Sequence, residues 1–200
     1  NLMDVYMDAV LYPNIHTNEK IFRQEGWHYE LENVDGEITY NGVVYNEMKG
    51  AFSSPDEILG RESLNGLFPD TEYGVESGGN PDFIPTLSYE DFKNFHKKYY
   101  HPSNSYIILY GNADMEERLA WLDKEYLSAF DAIKIDSELH VQKPFKKMIE
   151  KEIEYPVSAQ QGLENKTYIS YNVAMPAGVS VVESWGLNIV TQVLLEAAGA

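Results

Sequence analysis

Glu47 raises the first chemical question. It stands in Gly-Val-Val-Tyr-Asn-Glu-Met-Lys-Gly-Ala-Phe, residues 42–52. Val43, Val44, Glu47, Met48, Ala51 and Phe52 recur there at the three- and four-residue steps that share one helix face. All are apolar except Glu47. A buried, unpaired carboxylate is costly or becomes neutral. Either Glu47 lies at the edge of the stripe and reaches water, with Lys49 or Arg61 as an ion-pair partner, or something positive faces it. Zinc catalysis needs about three protein ligands and an open position. The histidines are His16, His28, His96, His101 and His140, and none forms His-x-x-x-His or His-x-x-Glu-His. His96 and His101 lie across a helix end and need not converge, and His28 and Glu30 point in different directions on a helix. No Gly-x-Ser-x-Gly elbow, phosphate loop or dinucleotide fingerprint is present.

The elements that must position these groups follow from periodicity and punctuation. Leu2, Val5, Tyr6, Ala9 and Val10 share a helical face that Pro13 ends. A helix is expected from Thr17 and broken at Gly26, then a short strand or turn-bound extension in Gly36–Gly42, then the helix bearing Glu47, which Asn41-Gly42 starts. Ser54-Pro55 reads as the N-cap and first position of the next helix, whose Glu57 should be solvated. The stretch 68–87 is a long loop rich in Gly, Pro, Asp and Asn, so it is functional or tightly packed. Ser88, with Asp91 three residues on, opens another helix. Ser105–Tyr110 reads as the clearest strand, expected at the centre of a sheet, and an amphipathic helix follows it. Residues 134–145 read as a linker. Strands are expected over 146–155 and 166–175, then a helix with Val182, Trp185, Ile189, Val193 and Leu194 on one face. Trp27, Tyr99 and Tyr100 are expected in the core, and His101 is expected to cap the helix before it.

Composition sets the limits. With 200 residues, 15 of them Tyr, the chain can bury a real core. It has no Cys, which excludes disulfides and thiolate chemistry and suits a reducing compartment, so a cytoplasmic location is expected. A net charge of −17 argues against nucleic acid and favours cationic ligands such as basic peptides. No apolar run approaches the ~20 residues of a membrane span. The chain does not begin with Met and reads as cut from something longer.

The segments Phe-Arg-Gln-Glu-Gly-Trp-His-Tyr-Glu-Leu-Glu-Asn (22–33), residues 42–55 and residues 73–112 resemble, in order and spacing, the presequence-protease branch of the insulinase/pitrilysin zinc metallopeptidases. Asn46–Gly50 and His101–Asn104 are the most specific parts. The resemblance implies that Glu47, in Asn-Glu-Met-Lys-Gly, is the distal zinc ligand. It also implies that a His-x-x-Glu-His helix, carrying two ligands and the general base, lies before Asn1. The opening question then has an answer: Glu47 faces inward because Zn²⁺ waits there.

The implied fold is α+β, a mostly antiparallel sheet with helices packed on one face. Residues 1–133 would be the latter part of the first domain, 134–145 a linker and 146–200 the start of a second, similar domain. The implied function is a zinc-dependent oligopeptidase that hydrolyses unfolded peptides inside a closed chamber. This chain alone would be inactive, and its partners would be peptide substrates and the remainder of its own polypeptide. The alternative is a non-catalytic structural or binding homologue.

Overall fold

The computed structural model describes residues 2–158, 162–176 and 178–195. The chain divides into two units, Asn1–Glu164 and Asn165–Ala200. The first contains α1 (Leu2–Leu11), α2 (Glu19–Glu25), β1 (His28–Glu30), β2 (Thr39–Asn41), α3 (Val43–Ala51), α4 (Pro55–Leu67), α5 (Tyr89–Tyr99) and α6 (Met115–Glu125). The second contains α7 (Val181–Leu195). The fold is mixed helical, with one small antiparallel sheet among the described residues. Its register is His28↔Asn41, Tyr29↔Tyr40 and Glu30↔Thr39.

Local chemistry starts and stops the helices. Asn18 caps α2 by accepting from the Lys20 N–H, and Gly26 ends it, so the chain turns into β1 rather than continuing helical. Pro55 occupies the first position of α4, where its missing N–H is no loss. Ser88 and Asp91 form a reciprocal capping box on α5. Asp114 caps α6 through the Glu117 N–H.

Two small cores hold the first unit together. Met7 of α1 packs with Leu122 of α6 and Tyr126, flanked by Leu11, Trp121 and Leu127. Phe22 and Trp27 pack with Ile84, flanked by Tyr45, Met48 and Tyr89. The Trp27 indole donates to the Leu87 carbonyl at 2.9 Å. The long loop is packed only at its end: it delivers Ile84 to the core and the Leu87 carbonyl to Trp27, while most of its other residues are exposed.

Several expected faces lie elsewhere. In α1 the buried residue is Met7, while Leu2, Val5 and Tyr6 are exposed, because α6 meets the face that carries Met7 and Leu11. Ser105–Tyr110 is not a strand. Tyr106 and Tyr110 are fully exposed and no described segment pairs with this stretch, so its extended backbone has no ladder. Residues 146–155 and the described residues of 166–175 likewise form no strand.

The stretch expected to link two domains is held by polar contacts. Ser137 Oγ donates to Asn104 Oδ1 at 2.5 Å, and Gln142 Nε2 donates to Asp70 Oδ2 at 2.9 Å. His101 caps the turn that follows it rather than the helix before it, its Nδ1 accepting from the Ser103 N–H at 3.1 Å. Trp27 is buried as expected, but Tyr100 is exposed and stacks on His96 with ring centroids 4.6 Å apart.

Candidate metal-ligand site

Glu47 lies in the middle of α3, a helix that begins at once after β2. Gly42 is the residue between them. Its φ is +152°, and a Cβ there would lie 2.3 Å from the Gly26 carbonyl oxygen and 2.8 Å from the Trp27 Cα. Only glycine permits that approach. The Tyr45 N–H donates to the same Gly26 carbonyl at 3.3 Å, so the first turn of α3 is pinned to the turn between α2 and β1.

That anchoring decides which face of α3 packs. Tyr45 and Met48 turn toward Phe22, Trp27 and Ile84, whereas Val43, Val44 and Glu47 are exposed. The stripe counted from the sequence is thus rotated by about one residue, roughly 100° on a helix. Glu47 does not point into the core. It faces water, and its side chain makes no hydrogen bond or ion pair with a described residue.

Neither cation offered as its partner takes that place. The Arg61 guanidinium lies over the Phe52 ring at 3.5 Å, with its Nε 4.0 Å from Glu62. Lys49 Nζ sits 5.9 Å above the Tyr45 ring. Beside the helix, Met48, Phe52, Arg61, Leu64 and Glu76 line a hollow of about 230 Å³ between α3, α4 and the long loop. A larger hollow of about 460 Å³ is lined by Arg23, Trp27, His28, Tyr29, Thr86, Leu87 and Ser88, and Glu47 is not part of it.

An uncommitted, water-facing carboxylate on a fixed helix suits a metal ligand. Among the described residues no group of three or more His, Cys, Asp or Glu side chains could hold a metal ion. His16 and His96 do come together, with Nε2 to Nδ1 at 3.0 Å, but they belong to the junction of α5 with the end of α1. His28 Nδ1 is 2.8 Å from the Arg23 carbonyl oxygen, which secures its ring to the end of α2. The exposed Glu47 carboxylate has the chemistry of a single zinc ligand, and no described His, Cys, Asp or Glu joins it in a group of three.

A polar cluster next to Glu47 was not singled out from the sequence. Asn41 Oδ1 accepts from the Gly42 N–H at 2.7 Å and from Asn46 Nδ2 at 2.6 Å, while Asn41 Nδ2 donates to Glu30. The Asn41-Gly42 pair signalled a helix start, and nothing in the linear order pointed to Glu30.

Comparison with known proteins gives the site its context. The family model described as Peptidase M16 inactive domain matches residues 86–200, a stretch that begins after Glu47. Protein HypA of Clostridium perfringens is 50% identical over the whole chain, which covers 21% of that protein. Presequence protease 1, chloroplastic/mitochondrial, of Arabidopsis thaliana is 45% identical over 86% of the chain and 16% of its own length. The mitochondrial presequence protease of Mus musculus is 36% identical over 98% of the chain and 19% of its own length. The chain thus spans about a fifth of the length of these relatives.

Proposed function

The chain belongs to the peptidase M16 family, and from that premise we propose that it is part of a zinc-dependent oligopeptidase to which it contributes one metal ligand, Glu47. The observation that carries this reading is the Glu47 carboxylate, ordered on α3, open to water and bound to no described side chain. Zinc, when bound, supplies Lewis acidity that activates water and polarises a peptide carbonyl. The chain's own part is positional. The contacts of Gly42 and Tyr45 with Gly26, and the packing of Met48, hold α3 so that Glu47 presents its oxygens at a fixed place.

In this reading the remaining ligands and the general base come from a His-x-x-Glu-His helix elsewhere in the polypeptide. Residues 1–133 are the latter part of the zinc-bearing domain, 134–145 a linker and 146–200 the opening of a second domain. Ser105–Tyr110 and the stretches 146–155 and 166–175 become strands of larger antiparallel sheets once the rest of the polypeptide supplies their neighbours. The substrates are unfolded peptides enclosed in a chamber. No described helix is long and apolar enough to cross a membrane. The cysteine-free composition suits the cytoplasm, and the names of several relatives make an organelle the competing location.

A second reading, a non-catalytic homologue, has one observation in its favour: the matching family model is described as an inactive domain. One experiment separates the two. In the intact protein, Glu47→Gln keeps the volume but removes the charge, so zinc content and peptide cleavage should both fall sharply while circular dichroism is unchanged. Glu57→Gln, on the exposed side of α4, should be silent. An intact wild-type protein that holds no zinc and cleaves no peptide would remove the catalytic reading, and full zinc occupancy in Glu47→Gln would remove Glu47 as its ligand.

A further inference from the structure

We propose that Asn41 is a positioning residue for Glu47: it ties the first turn of α3 to the β-hairpin and so sets where the Glu47 carboxylate stands. The inference rests on the reading of Glu47 as a metal ligand. Two features make such a tie necessary. A nine-residue helix is marginal alone, as is a two-stranded ribbon. Gly42, the N-cap of α3, brings no side chain to satisfy the first N–H groups of the helix. The Tyr45 N–H bond to the Gly26 carbonyl fixes one point of that start, and a second tie is needed to stop α3 turning about it.

Asn41 does so with three hydrogen bonds in two directions. Toward the helix, its Oδ1 accepts from the Gly42 N–H at 2.7 Å and from Asn46 Nδ2 at 2.6 Å. Toward the sheet, its Nδ2 donates to Glu30 Oε2 at 2.5 Å. The amide orientation is forced, because the Gly42 N–H can only donate and so meets Oδ1, which leaves Nδ2 to face Glu30. The register explains the reach. His28 stands opposite Asn41, so Glu30 is its diagonal neighbour on the same face of the ribbon. Asn46 is the residue before Glu47. A rotation or slide of α3 against the hairpin must therefore break the Asn41–Asn46 bond, and that same movement displaces the carboxylate.

Charge adds a second function. Glu30 is the carboxylate of this cluster, and the Asn41 amide takes up one of its oxygens. The helix start is thereby held by a neutral side chain, and the cluster leaves Glu47 as the free carboxylate on α3.

The test is a swap in the intact protein, read by the rate at which a chelator strips zinc well below the unfolding temperature. Asn41→Asp keeps the acceptor for Gly42 and Asn46 but faces Glu30 with a second carboxylate. It should release zinc at least about tenfold faster, the scale on which partners of a metal ligand act, with unchanged circular dichroism. Glu30→Gln combined with Asn41→Asp restores a donor opposite an acceptor and should return the rate toward wild type.

A purely structural role would lower the unfolding temperature and leave metal release in the folded protein alone. Should Asn41→Asp fail to fold, Asn46→Ala cuts only the tie at the exposed surface of α3 and should accelerate release in the same way. Wild-type release in the folded variants, or no rescue by the swap, overturns the proposal. Glu47→Gln is measured alongside. If it keeps its zinc, the ligand reading itself fails. If it loses zinc while Asn41→Asp and Asn46→Ala hold theirs, only the positioning role fails.

Discussion

Tyr126 and Asp4 stand 122 positions apart in the chain, and one hydroxyl joins them. The Tyr126 OH donates to the Asp4 carbonyl at 2.8 Å and to Asp4 Oδ1 at 2.7 Å. It ties the start of α1 to the end of α6 at the edge of the Met7–Leu122–Tyr126 core. The hydrogen bond to Asp4, then burial, then the charges of Asp4, Asp8 and Glu125 push the phenol up to about 12.

Tyr126→Phe should therefore lower the unfolding temperature of the intact protein at neutral pH. A phenol whose pKa is higher in the folded protein than the usual 10 stabilises fully below pH ~10 and loses that contribution as pH rises toward 12. Wild type should thus lose stability more steeply than Tyr126→Phe above pH ~10. Spectrophotometric titration should also lack its highest tyrosinate step in the variant. Identical titration curves would mean that the Asp4 contact is not formed in solution.

The two cores share no residue. Leu122 and Ile84 are 3% and 5% exposed, so each change to Ala should destabilise by about 2–5 kcal/mol through lost transfer energy and a residual cavity. The double variant should equal the sum within about 0.5 kcal/mol, as for independent sites. Denaturant midpoints of the four proteins decide it, and a strong coupling energy would show that the cores form one cooperative cluster.

His16 and His96 make the chain sensitive to acid. The Val10 carbonyl, 3.2 Å from His96 Nε2, can only accept, so that nitrogen carries a proton. His96 Nδ1 then accepts from His16 Nε2 at 3.0 Å, which leaves His16 Nδ1 a buried lone pair with no hydrogen-bond partner. Any added proton ends on that nitrogen, where no described acceptor meets it. Burial, then His96, Lys97 and Lys93, lower the His16 pKa from 6.5. A lowered pKa means that the unfolded chain takes the proton more readily, so this stability is present above pH 6.5 and fades as pH falls below it. His16→Gln keeps a donor to His96 and should flatten the fall in unfolding temperature between about pH 7 and 5. Equal slopes in the two proteins would sink the idea.

Residues 1–200 alone should cleave no peptide and bind zinc weakly, because affinity comes from several converging ligands and the described residues hold no group of three. Calorimetry with zinc and a quenched fluorescent peptide assay measure both. Robust, chelator-sensitive cleavage would mean that an active site lies among residues so far read as structural. Val5 and Tyr6 on α1, and Trp185 and Val193 on α7, are large apolar side chains open to water. The isolated chain should therefore associate despite its charge of −17.

What the sequence determined by itself is what local chemistry can specify. Ser54-Pro55, the Ser88–Asp91 box and the break at Gly26 all act within a few residues of themselves, and the structure has each where it was read, while the stretch 36–42 holds a strand only over Thr39–Asn41. The prominence of Glu47 was legible too, as the polar member of an apolar count. Its direction was not. Whether α3 turns Glu47 or Tyr45 toward the core beside Met48 depends on the approach of Gly42 to Gly26, and neighbouring positions on a helix differ by only about 100°. Ser105–Tyr110 has the composition of a strand, yet composition cannot supply the neighbour that makes a ladder. The same limit hid Glu30 behind Asn41, His16 behind His96 and Asp4 behind Tyr126. Each of those contacts joins parts of the chain whose separation carries no periodicity, so only folding could bring them into reach.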